Sequence, residues 1–156
     1  MILTEKMGEG SIVKAEDRKR DPNLDAIQKV GAAVVSDGKV MVVRKKGQRT
    51  DEYFMAGGKM EGEETQRQTL VRELQEELGV EVADYQYIGS YEDLAVFEGT
   101  PIVLHAYCVH IAGRPQPHNE IKEYAWIDSE FESKGFKVSS IMAQHVIPRL
   151  VEMGQI

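Results

Sequence analysis

The sequence predicts a mixed α/β fold, and three observations carry that prediction. Short apolar runs rich in β-branched residues, at 30–35, 40–43 and 102–111, read as strands. Residues 65–79 carry helix punctuation: Leu70, Leu74 and Leu78, with Val71 beside them, make an apolar side. Thr65 with Gln68 forms a capping box at its start, and Gly79 supplies the residue that ends it. A second helical pattern closes the chain, with Ile141, Met142, His145, Val146, Leu150 and Val151 on its expected buried side.

Each element follows from local chemistry. Residues 1–28 are polar, with a charge run at 14–21 and then Pro22-Asn23, and are expected to form an N-terminal arm ahead of a domain at 29–156. That arm is either flexible or an edge element used in oligomer contacts, so a homodimer stays open. The strand at 30–35 returns through Ser36-Asp37-Gly38-Lys39, a hairpin signal, into the strand at 40–43. Residues 53–56 lead into Gly57-Gly58, where the backbone must turn sharply. Residues 81–91 alternate loosely as a strand, and 92–100 read as a loop containing Phe97. A turn-rich stretch at 113–119 precedes a short strand at 124–127. Ser139 and Ser140 offer an N-cap to the closing helix, which Pro148 is expected to bend.

At 156 residues the chain suits one domain with a real core. A net charge of −7 argues against a nucleic-acid partner, because binding a phosphate backbone needs a basic face. No apolar run reaches membrane-spanning length and no signal-peptide pattern opens the chain, so no membrane partner and a cytoplasmic location are expected. The lone Cys108 lies in an apolar strand and is expected to be a buried structural thiol. Tyr53, Phe54 and Trp126 are expected in the packing.

The helix at 65–78 holds an electrostatic conflict. Glu73, Glu76 and Glu77 stand at i, i+3 and i+4, within an arc of roughly 100°. They crowd the C-terminal turns, where the helix dipole disfavours negative charge and like charges repel. One reading is a solvated acidic face. The other is a compensating cation, and carboxylates without His or Cys nearby favour Mg²⁺, with Mn²⁺ as the alternative, over Zn²⁺.

The spacing decides between them. The segment Gly58–Val80 resembles the Nudix box, Gly-x5-Glu-x7-Arg-Glu-U-x-Glu-Glu-x-Gly-U with U aliphatic. Gly58, Glu64, Arg72, Glu73, Leu74, Glu76, Glu77, Gly79 and Val80 match every specified position. By residue usage, a chance match in a chain this short is on the order of one in a million. The flanking strand pattern extends the resemblance over roughly 29–152. It implies an α/β/α sandwich around a mixed sheet and Mg²⁺-dependent hydrolysis of a nucleoside diphosphate linked to another moiety. It also implies roles: Glu76 and Glu77 as principal metal ligands, Glu73 completing the cluster, the Gly57 carbonyl as a further ligand, and Glu64 with Arg72 as a structural ion pair. The general base differs among such proteins; here Glu73 and Glu120 are the candidates, Glu120 also as a fourth ligand, while Glu123 reads as a surface charge. Lys59 and Arg44 are candidates for substrate phosphate, Lys45 and Lys46 are placed to do the same, and for Arg44, Lys45 and Lys46 a solvated strand end is the other reading.

For substrate, the short chain resembles the MutT-type enzymes that act on nucleoside triphosphates, oxidised ones included. It lacks the proline that marks ADP-ribose hydrolases, near Ala95 here, and has Phe97 where dinucleoside polyphosphate hydrolases carry tyrosine. A nucleotide-sugar or dinucleoside polyphosphate hydrolase is the alternative enzyme. A nucleotide-sensing module is the alternative of another class, although such domains lose the box glutamates that this chain keeps. One departure is Ala56, where many relatives have proline before the glycine pair; it removes no functional atom.

Overall fold

Alternate residues of one central strand face opposite sides of a sheet, and this divides the core in two. In the computed structural model, which describes residues 4–7, 11–94 and 100–156, that strand is β3 (Ile27–Ser36). Val30, Ala32 and Val34 pack on one side with Leu70, Leu74 and Leu78. Ala33 and Val35 pack on the other with Ile141, Met142, Val146, Ile147 and Leu150. A strand buried on both faces reads as a continuous apolar run rather than an alternating one.

The chain begins with a hairpin, β1 (Thr4–Met7) and β2 (Ser11–Lys14), which pair only with each other among the described residues. A single 3-10 turn follows at Ala15–Asp17, and Ala15 enters the core. Lys19 bridges to Thr65, and the Gln66 N–H donates to the Arg18 carbonyl at 2.8 Å, so this stretch lies against the start of the box helix. Then come β4 (Lys39–Lys45), β5 (Ala56–Lys59), α1 (Gln66–Leu78), β6 (Glu81–Leu94), β7 (Pro101–Ala112) and β8 (Ile121–Ile127). The main sheet runs β6-β7-β3-β4-β8, with β5 beside β3. β3 and β7 are parallel and the other pairs antiparallel, which makes the sheet mixed. One helix on each face completes an α/β/α sandwich.

Strand β4 stays with β3 only at the hairpin, Val35 opposite Val40 and Ser36 opposite Lys39. It then diverges toward β8, and β5 takes the vacated edge, pairing Gly57 with Gly31 and Gly58 with Val30. This brings the glycine pair beneath α1. The Gly57 φ of 132° and its contact with the Val30 carbonyl leave no room for a Cβ.

Several expectations move. β3 begins at Ile27, ahead of Lys29, and β6 reaches Leu94; Ala95 and Phe97 lie outside the described residues. Val71 is 46% exposed, whereas Gln66 and Thr69 are buried beside the leucines. One residue beyond Leu70 turns the helix by 100°, which carries Val71 out to solvent. The closing helix is irregular: a π turn at Met142–Val146 precedes α2 (Ile147–Glu152). Pro148 cannot donate the bond a regular turn requires, and a wider turn accommodates that loss. The widened turn also changes the helical phase. Ile147 becomes buried, while His145 and Val151 are exposed rather than buried, and His145 stacks on Tyr91 with centroids 4.7 Å apart. The Ser140 hydroxyl donates to Asp93 Oδ2 at 3.0 Å instead of capping the helix. Tyr53 is buried, Phe54 half-buried, and Trp126 packs against the core. Cys108 is buried, and burial pushes its thiol up to about 11, which leaves it protonated and inert.

Candidate active site

The site is built where α1 crosses the β5 turn. Thr65 Oγ1 accepts the Gln68 N–H at 3.1 Å and Gln68 Oε1 accepts the Thr65 N–H at 2.9 Å, which closes the capping box. At the other end Gly79 is left-handed, with φ 66°. These two stops fix the register of every glutamate between them.

Arg72 is the hub of the loop ahead of the helix. Its Nε and Nη2 meet Glu64 at 2.7 and 3.0 Å, a bidentate pair, and Nη2 also donates to the Lys59 carbonyl at 3.0 Å. Nη1 reaches Glu73 at 3.0 Å and Glu76 at 3.3 Å. The Arg72 guanidinium holds the Glu64 carboxyl down at about 2, and Glu64 in turn raises Arg72. The pair ties residues 59–64 to α1, a structural task.

The three helical acids do not share one environment. Glu73 and Glu77, one turn apart, are buried, whereas Glu76 is exposed and turned to Arg72. The Glu73 carboxylate lies directly over Gly58, where a Cβ would strike it. Burial raises Glu73 and Arg72 opposes the shift. Glu77 is 1% exposed, and its Oε1 accepts the Gly57 N–H at 2.7 Å. Its Oε2 is buried with no hydrogen-bond partner. Burial pushes Glu77 up to about 7 despite the Gly57 bond and nearby Lys45.

Glu120 joins this pair from the turn before β8. Oxygens of Glu73, Glu77 and Glu120 all lie within 4.8 Å of one another. The Lys46 N–H donates to the Glu120 carbonyl at 2.8 Å, and the His118 N–H donates to the Glu77 carbonyl at 2.9 Å, so backbone bonds fix this turn near α1. The residues fit a hard divalent cation: three acids each bring an oxygen donor to one place, and one of them, Glu77, has an orphaned Oε2. An unpaired buried carboxylate oxygen otherwise costs stability without return.

The remaining candidates sit outside the cluster. Glu123 and Arg44 pair with each other, Arg44 Nη2 donates to the Tyr53 hydroxyl at 2.9 Å, and the guanidinium lies 4.3 Å above the Tyr53 ring. The Lys59 side chain is exposed beside the glycine pair. Sequence reasoning underrated Lys45, whose Nζ stands 3.4 Å from Glu120 and 4.0 Å from Glu77. The β4–β8 ladder shifts register between Arg44 and Lys45, and a shift of this kind leaves no local sequence signal.

Comparison with known proteins identifies the family. The NUDIX domain model matches residues 27–134. The CTP pyrophosphohydrolase of Escherichia coli is 37% identical over 110 residues, 69% of this chain and 79% of that protein. A Mycobacterium tuberculosis protein provisionally named 8-oxo-dGTP diphosphatase 2 is 33% identical over 100 residues, 63% of this chain and 70% of its own. The solution structure of the E. coli ORF135 protein superposes with a TM-score of 0.64 at 32% identity, covering 86% of this chain and 93% of that one. The MutT protein of Methanosarcina mazei superposes with a TM-score of 0.70 over 87% of this chain and all of its own. At 17% identity that likeness speaks for the fold alone. A complete box and a family match across most of the chain lead to one conclusion: this protein belongs to the Nudix family and is a Nudix hydrolase.

Proposed function

We propose that the chain hydrolyses the pyrophosphate linkage of a nucleoside triphosphate, an oxidised (d)NTP included, with Mg²⁺ as its cation. The observation that carries this reading is the buried, unpartnered Oε2 of Glu77, an acid that converges with Glu73 and Glu120. The activities named for the E. coli and M. tuberculosis relatives support the substrate class.

In this reading Glu73, Glu76, Glu77, Glu120 and the Gly57 carbonyl are the ligands. Glu76 would have to leave Arg72 to join them. Held there, such a cation would supply charge to offset the phosphate oxygens and to acidify a water. Glu120 is 57% exposed at the rim of the cluster, so it can accept the proton of an attacking water there. Water adds at phosphorus, the bridging P–O bond breaks, and a nucleoside monophosphate and inorganic pyrophosphate leave with one proton released. Lys59 and Arg44 contact substrate phosphate; for Arg44 this requires sharing its present bond to Glu123. The catalytic unit is 29–156, with 1–28 as its polar arm, and it acts on free nucleotides in the cytoplasm.

The test is a panel of CTP, dCTP, 8-oxo-dGTP, nucleotide sugars and dinucleoside polyphosphates, assayed with Mg²⁺, with Mn²⁺ and with chelator. Release of monophosphate and pyrophosphate from a triphosphate, lost in chelator and restored by Mg²⁺, is expected. Undiminished turnover without metal contradicts the reading, and a preference for nucleotide sugars or dinucleoside polyphosphates contradicts the substrate class.

A further inference from the structure

Lys45 stands where a cation belongs. Its Nζ lies 3.4 Å from Glu120 Oε1 and 4.0 Å from Glu77 Oε2, two acids of the cluster, while the third, Glu73, is met by Arg72 Nη1 at 3.0 Å. At 4.0 Å the ammonium is out of hydrogen-bond reach of Glu77, whose Oε2 stays unpartnered while its Oε1 is taken by Gly57. The ammonium therefore offsets the charge of the cluster without saturating its donors. A lysine is suited to this position, being a compact charge on a flexible stem that can swing away. Neighbouring cations are committed differently: Arg44 pairs with Glu123, and Lys46 is exposed with its backbone, not its ammonium, bonded near the site.

We propose that Lys45 is a built-in counter-ion, which holds the acid cluster together in the metal-free protein and is displaced when a divalent cation enters. The proposal rests on the reading that Glu73, Glu77 and Glu120 hold that cation. It assigns Lys45 a positioning role with two opposed effects. The ammonium stabilises the empty cluster, and it weakens metal binding because its attraction must be given up. Metal entry thereby exchanges one cation for another, and the freed ammonium leaves the cluster only when the site is loaded.

The experiment compares the full chain with Lys45→Met, Lys45→Arg and Lys46→Met, reading thermal unfolding in chelator and Mn²⁺ affinity by titration calorimetry. Lys45→Met should unfold at a lower temperature in chelator and bind Mn²⁺ about three- to tenfold more tightly, since a like charge within about 4 Å has been removed. Lys45→Arg should retain most of the metal-free stability, and Lys46→Met should match the unchanged chain in both measurements. Weaker or unchanged Mn²⁺ binding by a folded Lys45→Met protein overturns the counter-ion role while leaving the metal site intact. Equal tightening in Lys46→Met shows only general charge and also overturns it. Absence of Mn²⁺ binding by the unchanged chain overturns the metal site itself, and the proposal with it.

Discussion

Glu64 and Glu77 come from the same 23-residue motif and differ only in surroundings. Glu64 meets the forked guanidinium of Arg72 and is held at about 2, while Glu77 is buried and pushed up to about 7. The first acid is satisfied, and its charge stabilises the fold. The second is left short of a partner, and its charge destabilises the metal-free fold. The difference lies in the surroundings alone: Glu64 is tied by a bidentate guanidinium, whereas Glu77 keeps a buried oxygen with no hydrogen-bond partner.

The largest expected effect breaks the unsatisfied acid. Glu77→Gln should lower metal-dependent hydrolysis by at least about a hundredfold, since the amide lacks the charge that binds a hard cation. Steady-state rates in saturating Mg²⁺ measure this, and a near-normal rate would mean the cluster is only an acidic surface.

Breaking the satisfied acid should have the opposite balance. Glu64→Gln should destabilise the protein by about 1–3 kcal/mol at pH 7. The sign follows from the depressed carboxyl: its stabilisation is present above the ordinary 4.5 and is lost as pH falls toward about 2. Urea denaturation at pH 7 and near pH 3 should show the gap between variant and unchanged chain shrinking in acid.

Gly58→Ala sharpens the boundary between the two. The added methyl would strike the Glu73 carboxylate, which must then shift. A cost of about 1–3 kcal/mol and weaker Mn²⁺ binding are expected, read by denaturation and calorimetry. Smallest of all should be Glu123→Gln, because that acid is a partly exposed partner of Arg44 and Tyr53. Its stability should change little, and its kcat should fall less than that of Glu120→Gln. A larger kcat loss at Glu123 would reverse the two roles.

Local chemistry explains what was legible in the sequence. The capping box, the Gly79 stop and the hairpin at Asp37-Gly38 depend on neighbours a few residues away, so spacing alone places them. The acid cluster was legible as a conflict with the helix dipole. The unequal burial of Glu73, Glu76 and Glu77 was not, because it depends on β5 crossing beneath α1. Lys45 and the π turn at Met142–Val146 likewise depend on distant pairing and on how the closing helix meets the sheet. Glu120 was within reach as a candidate because it follows the turn-rich stretch at 113–119, where the resemblance implies a fourth carboxylate. Its backbone ties to Lys46, and those of His118 to Glu77, belong to the tertiary structure.

The most direct test of the central claim is the pH dependence of stability, in chelator, for the unchanged chain and Glu77→Gln. A carboxyl raised from 4.5 to about 7 stays protonated in the fold after the unfolded chain has ionised. The metal-free protein should therefore lose up to about 3 kcal/mol as pH rises from 4.5 through 7, the loss being complete above the folded value. Glu77→Gln should lack that slope, becoming the more stable protein at pH 8 and losing its advantage near pH 4.5. Saturating Mg²⁺ should restore the unchanged chain at pH 8 and leave the variant where it was. Parallel profiles for the two proteins across that window, or equal stabilisation of both by Mg²⁺, would contradict an unsatisfied Glu77 at the centre of the site.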